Sequence, residues 1–388
     1  MRVLHLIDAA SPQATRTTLA MLADALGRLG QVEQQVLLLG GSKLNEDAVA
    51  AGVHDAQLVS TPYGLASLAW PIMRCRLRAL GRFDLVHCWS LGAMSLAALM
   101  LRNLPRLLTL TGWPSRRQIQ WLRVLVREAA GRTVVLPVSN TLRRELLVHG
   151  VPEKAAVVLR PAIDMGRVDH DRRSELRNAW GLDGEQVRVA VLLCDPAPAG
   201  DAIEGVMTVG LAAETLEEDD AGIRLILHPD QWRRRRAERI VQQAQRPYQI
   251  IREPRTTTPW AVLPGCDIAL ARGPHAGGLS LLWAMAANIA IVGEATYAIS
   301  EILEDRHSAL LAKPGHRNAL SNRIGRLLKD RQLAWQLRDT ARHEAYSFFS
   351  RQRYCQSLKG VYEQLVGGYE VEVQPLEPTG GLRFTGRA

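Results

Sequence analysis

Short apolar runs alternate along this chain with longer stretches whose apolar positions recur at helical spacing. The runs at 3–7, 35–39, 85–87, 107–110, 134–138 and 156–159 predict strands. Between them, 17–29, 91–101, 117–129 and 141–149 predict helices. Continuous apolar strands separated by helices indicate a parallel sheet covered on both faces. Ser139 and Asn140 offer N-cap chemistry before the helix that carries Leu142 and Leu146.

A second series follows the charged, irregular stretch 164–186, which reads as a linker with one short helix. Strands are predicted at 187–193, 223–227, 248–251, 268–270 and 289–292, with helices at 203–216, 231–244 and 279–287. The pattern gives an α/β protein of two Rossmann-like domains facing a cleft, closed by a C-terminal crossover helix. The domains are placed at 1–165 and 187–330, with 166–186 as linker, helices at 331–365 packing back, and a poorly ordered tail at 366–388. Ligands of open α/β sheets bind outside the carboxyl ends of the strands. That rule puts a ligand beside residues 272–283.

Composition narrows the class. A hydrophobic content of 47% with 22% charged residues suits a globular protein with a sizeable core. The segment 91–104 is interrupted by Arg102 and too short to span a bilayer, and MRVLHLID reads as a first strand rather than a signal peptide. Cys75, Cys88, Cys194, Cys266 and Cys355 show no metal-ligand spacing, so no metal or other cofactor is expected and the thiols read as reduced and cytoplasmic.

The net charge of +9 is concentrated at one end: residues 1–165 hold 19 Lys or Arg against 11 Asp or Glu. Clusters such as Arg74, Arg76, Arg78 and Arg82, or Arg116, Arg117, Arg123 and Arg127, fit either a solvated Arg-rich surface or peripheral contact with an anionic membrane. Both readings stay open. The run Arg233–Arg236 follows Trp232 but lacks the interleaved aromatics of a single-strand binding surface, and no nucleic-acid partner is expected.

The candidate chemistry lies in ARGPHAGGLSLLWAMAANIAIVGEATYAISEILE, residues 271–304. A glycine-bearing loop enters an apolar helix there, bringing the backbone amides of Ala276, Gly277, Gly278 and Leu279 to a helix N-terminus. Such a place favours anions. The segment resembles the donor-binding motif of retaining GT-B glycosyltransferases, family 4 of group 1, through Gly278, Leu279, Leu281, Leu282, Ala284, Met285 and Ala286. Further likenesses are FDLVHCWS at 83–90, PVSNTLRREL at 137–146, LRPAID at 159–164, CDIALARG at 266–273 and SALLAKPGHRNAL at 308–320.

The resemblance implies transfer of a sugar from a nucleotide-sugar donor with retention and no metal. It also exposes departures. Where the family has two acidic residues, this chain has His275 and Trp283. Its phosphate-binding Arg and Lys align with Asp195 and Ala199, and a first-domain His aligns with Thr111. Arg272 stands close enough in sequence to replace one missing cation. His275 is the candidate for bonding a sugar hydroxyl or an anion, with a surface or packing role as the alternative. Trp283 suits either core packing or stacking on a base. The resemblance thus implies a glycosyltransferase with an altered donor site. The alternative is a catalytically inactive GT-B module that binds a nucleotide sugar or glycan, or serves as a scaffold. Templates for other enzymes, GxSxG, HExxH and a P-loop after a strand, are absent from the sequence.

Overall fold

A computed structural model of the chain describes residues 1–8, 18–19, 21–23, 25–26, 29, 32–60, 75, 77, 79–129, 131–182, 187–193, 199–214, 223–227, 239–240, 242, 249–252, 259–273 and 278–373. The chain forms two compact units. Over the described residues, one comprises Met1–Ala162 and 351–373, the other Ile163–Ser350.

In the first unit, β1 (Arg2–Asp8), β2 (Glu33–Gly40), β3 (Ala56–Ser60), β4 (Leu85–Cys88), β5 (Arg106–Leu110) and β6 (Thr133–Pro137) form a parallel sheet in the order β3-β2-β1-β4-β5-β6. Helices between its strands include α1 (Ser42–Ala50), α2 (Leu91–Met100), α3 (Arg116–Glu128) and α4 (Asn140–Val148). One face of the sheet presents Leu4, Leu6, Val86, Cys88 and Leu108 to Met94 and Ala97 of α2, Ile119 and Leu122 of α3, and Leu142 and Leu146 of α4. The segment 156–159 does not become a ladder strand. A bridge from Val135 to Ala156 and a Leu159 N–H to Pro137 carbonyl bond of 3.1 Å hold it beside β6, but the next rung would need an N–H from residue 137, which is a proline. The sequence pattern also passed over α1 and β3, both short and weakly apolar.

In the second unit, α5 (Arg173–Ala179) leads into β7 (Arg188–Leu192), α6 (Ala199–Glu214), β8 (Ile223–Leu227), β9 (Gln249–Arg252), α7 (Pro259–Val262), β10 (Ile268–Ala271), α8 (Leu279–Ala286), β11 (Ala290–Glu294), α9 (Tyr297–Ser300), β12 (Leu310–Ala312), α10 (Arg317–Lys329) and α11 (Arg331–Phe348). The parallel sheet runs β12-β11-β10-β7-β8-β9. Counted from its own first strand, this is the same Rossmann order as in the first unit. In each sheet the order reverses once, between β1 and β4 and between β7 and β10. Those reversals are where open sheets bind ligands, at the carboxyl ends of the strands.

The segment read as a linker is built into the second unit. The Asp267 carboxylate accepts from Arg173 at 2.7 Å, from Arg177 at 3.3 Å and from the Val189 amide at 2.8 Å, so α5 is pinned to the sheet. The C-terminal helices divide differently from the expected 331–365 block. The amphipathic α11 buries Leu337, Ala341 and Ala345 within the second unit, and only α12 (Arg351–Gly367) crosses back to the first. There Tyr362 docks on the sheet face opposite α2–α4. The tail beyond residue 373 and most of the predicted helices 17–29 and 231–244 lie outside the described residues.

Candidate functional site

The chain leaves β10 at Arg272 and enters α8 at Gly278, at the carboxyl edge of the sheet beside the β7/β10 reversal. Gly278 is the N-cap of α8 with φ −94° and ψ −145°. A glycine offers no side chain of its own to cap the helix, and the first turn holds no acidic residue. The positive end of the α8 dipole is therefore not countered from within its own first turn. The other end closes on Asn288, whose φ of +57° is the left-handed conformation that asparagine tolerates and that stops a helix.

Every residue of α8 is buried. Trp283 is 1% exposed and ranks among the largest fully buried side chains, so it packs as core between the sheet and its neighbouring helices. An indole in that position fills volume and presents no face to solvent. His275, Ala276 and Gly277 lie outside the described residues, as do Asp195 and the side chain of Ala199 after β7.

Arg272 does not stand as an uncommitted cation. It is 8% exposed, and its Nη2 donates to Glu294 Oε1 at 2.8 Å while Nη1 donates to Thr208 Oγ1 at 3.1 Å. Glu204 Oε2 lies 3.5 Å from Nη1. The Nε is buried with no hydrogen-bond partner among the described residues. Glu294, itself 5% exposed, ends β11 and gathers three segments. Beyond Arg272 it accepts from the Gly273 amide at 3.0 Å and the Gly315 amide at 3.2 Å. Gly273 and Gly315 both adopt positive φ, +90° and +81°, where a side chain would be strained.

The network continues outward. Arg317, at the start of α10, binds Glu204 of α6 in a two-nitrogen grip, Nε at 3.0 Å and Nη2 at 2.7 and 2.8 Å. Burial on its own raises the Glu204 carboxyl, but the Arg317 and Arg272 guanidiniums outweigh it and hold the group below the usual carboxylate range. Two carboxylates thus balance two guanidiniums at the base of the loop. Sequence reasoning missed Glu204, Thr208, Glu294 and Arg317. Of these only Glu294 leaves a readable signal: a lone carboxylate ending the apolar run AIVGE, at the edge where strands meet ligands.

Thr111, at the carboxyl end of β5 in the first unit, places its Oγ1 3.4 Å from Thr18 Oγ1. Nearby, β1 and β4 bury a neutral polar cluster. Trp89 Nε1 donates to His5 Nδ1 at 3.0 Å, which leaves His5 Nε2 to donate to Gln34 Oε1 at 3.1 Å. His87 bonds Tyr362 Oη through Nδ1 and Thr109 Oγ1 through Nε2, each at 2.7 Å, and its ring stacks on Trp89 at 4.3 Å. Burial holds both imidazoles down, His5 to about 4, with the Gln34 bond opposing; His87 is lowered further by its neighbour His5.

Known proteins resemble the chain over most of its length. The model of Glycosyltransferase Family 4 matches residues 15–167, and that of Glycosyl transferases group 1 matches residues 210–344. No curated protein matches significantly by sequence. Among solved structures, a glycosyltransferase from Rickettsia africae superposes with a TM-score of 0.75 at 15% identity, covering 94% of this chain and 98% of the other. Anabaena HepE, solved in complex with UDP and glucose, gives 0.75 at 15% identity, with coverages of 92% and 98%. The sucrose-phosphate synthase of Thermosynechococcus elongatus gives 0.69 at 14%, with coverages of 95% and 100%.

Proposed function

The chain belongs to the family 4/group 1 glycosyltransferases of GT-B fold, and from that premise we propose that it binds a nucleotide-sugar donor at the loop between β10 and α8 and transfers the sugar, with retention, to an acceptor. The observation that carries this reading is the N-terminus of α8, which opens on a glycine, holds no acidic residue in its first turn and lies at the β7/β10 reversal. Backbone amides of residues 276–279 and the helix dipole suit a diphosphate, whose negative charge grows as the sugar departs. HepE, of the same fold, was solved with UDP-glucose.

The network beneath the loop supports a positioning role. Glu294 fixes the amides of Gly273 and Gly315 and orients Arg272 at the stem of the loop. His275 is assigned to the sugar or its phosphate, and Trp283 to packing the helix that carries the amides. No metal is invoked.

A second reading is a binding module without catalysis. The pairing of Arg272 with Glu294 and Glu204 favours it, since a guanidinium already balanced by two carboxylates adds little net charge opposite a leaving diphosphate. Thermal shift with UDP, GDP, ADP and their sugar conjugates tests donor binding. A ligand at a hundred times its dissociation constant stabilises the fold by about 2.7 kcal/mol. Gly278→Asp keeps good N-cap chemistry while placing a carboxylate where phosphate would sit. The expected result is a selective shift in the native chain, lost in the variant. No shift with any nucleotide at millimolar concentration rejects both readings of the donor loop. Donor hydrolysis or transfer, measured next, separates enzyme from module.

A further inference from the structure

The outer face of the first unit carries a surface that the donor reading does not use. Helix α3 is strongly two-sided: Ile119, Leu122 and Val126 point into the core, and the opposite stripe carries Arg117, Trp121, Val124 and Glu128. Arg116, Arg123 and Arg127 flank that stripe. Trp121 is 37% exposed and Val124 47%. An exposed indole beside an exposed valine has no role in the core.

The neighbouring α4 repeats the arrangement. Leu142 and Leu146 face inward, while Arg144 and Val148, one turn apart, face out, and Val148 is 73% exposed. The Arg123 side chain runs against Gly150 at the end of α4, joining the two outer faces into one patch.

The charges of the patch are not spent on internal partners. Arg116, Arg117, Arg127 and Arg144 form no ion pair among the described residues, and Glu128 is the acidic side chain on the outer stripe of α3. Arg116 and Arg117 stand in the first turn of α3, where the helix dipole disfavours cations and no acidic residue offsets them. Such a turn is stabilised by an external anion. Apolar and aromatic side chains ringed by arginines match one kind of surface in particular: the interface of an anionic bilayer, where indoles settle at the headgroup level and guanidiniums pair with phosphates. A nucleic acid would use the arginines but leave Val124 and Val148 without a partner.

We propose that α3 and α4 dock the protein peripherally on anionic lipid, with Trp121, Val124 and Val148 entering the headgroup region and Arg116, Arg117, Arg127 and Arg144 contacting lipid phosphates. Both helices run from the carboxyl edge of the sheet back to its amino edge, so docking lays their outer faces along the membrane surface. The inference goes beyond donor binding and stands or falls without it, because the test contains no nucleotide.

The experiment is co-sedimentation of the full chain with phosphatidylcholine vesicles, with and without phosphatidylglycerol, at low and high salt. Binding to the anionic vesicles, weakening as salt rises, is expected; each arginine near the surface contributes about fivefold to the partition. Arg117→Glu/Arg144→Glu is expected to lower binding by about twenty-five-fold or more on the same per-charge scale. Trp121→Ser/Val124→Ser should weaken it while leaving the salt dependence unchanged. All four substitutions are at the surface, and an unaltered melting midpoint verifies folding. Equal binding to neutral and anionic vesicles, or variants that bind like the native chain, overturns the proposal. So does a dimer in size exclusion that the same substitutions dissolve, or equal affinity for a single-stranded oligonucleotide lost in the arginine variant alone.

Discussion

In the first unit the strands beside the sheet reversal bury two uncharged imidazoles. In the second, the strands beside the corresponding reversal bury a guanidinium between carboxylates. His5, His87, Thr109, Trp89 and Tyr362 satisfy one another as neutral donors and acceptors. Arg272, Glu294, Glu204 and Arg317 satisfy one another as ions. The strand order is the same, so topology does not dictate the difference. Each cluster does a different job. The neutral one tells α12 where to land, because Tyr362 is the hydroxyl that meets His87. The ionic one ties the ends of two strands, β10 and β11, to two helices, α6 and α10, beneath the loop that leads into α8.

Breaking the ionic cluster has the largest expected effect. Glu294→Ala leaves a buried guanidinium short of its main counter-charge, a change that costs about 3–5 kcal/mol. A urea or thermal melt reads the loss. Glu294→Gln keeps the shape and part of the hydrogen bonding, so it should fall between the native chain and the alanine variant. Equal stability of all three would show that the pair is not a strut.

Acid sharpens the contrast next. His5 is held to about 4 in the fold against an ordinary 6.5, so between those values the unfolded chain binds more protons than the folded one. Stability is therefore full above pH 6.5 and falls as the pH drops toward 4. His5 alone contributes a loss of about 2 kcal/mol by pH 5, and His87 adds to it in the same direction. Protonation also sets a second N–H against the Trp89 N–H at His5 Nδ1, which is the geometric reason the charged form is disfavoured. His5→Gln/His87→Gln should flatten the pH dependence in this window; an unchanged slope would place its origin elsewhere.

Tyr362→Phe is the smallest of the three. It leaves His87 Nδ1 buried without a partner, at a cost of about 1–3 kcal/mol. The effect should appear as a lower midpoint and as easier proteolysis of the C-terminal helix. If α12 is released without loss of stability, the hydroxyl does not hold it.

How much of this was readable depends on the residue. Apolar runs such as 3–7, 85–87 and 268–270 announce themselves as strands because a strand buried on both faces has no polar position to interrupt it. The loop-to-helix entry at Gly278 was equally visible, since glycine followed by a run of aliphatics leaves few alternatives. Arg272 was noticed for its charge, but its nearness in sequence to the loop suggested a cation available to a ligand. Its partners lie 22 residues away in Glu294, and 64 and 68 away in Thr208 and Glu204, so no local pattern could reveal that the charge is already balanced. Trp283 was ambiguous for a related reason: on a helix apolar all round, sequence gives no outward direction, and only packing shows that the indole is enclosed.

The sequence by itself determined the two parallel series, the glycine entry into α8 and the family, because each follows from local periodicity or from residues adjacent in the chain. The tertiary structure decided where the chain crosses back at Ser350, which charges neutralise each other, and that His87 waits for a tyrosine 275 residues downstream. Those outcomes depend on which side chains meet at strand ends and sheet faces, and a one-dimensional pattern does not record distances between residues far apart along it.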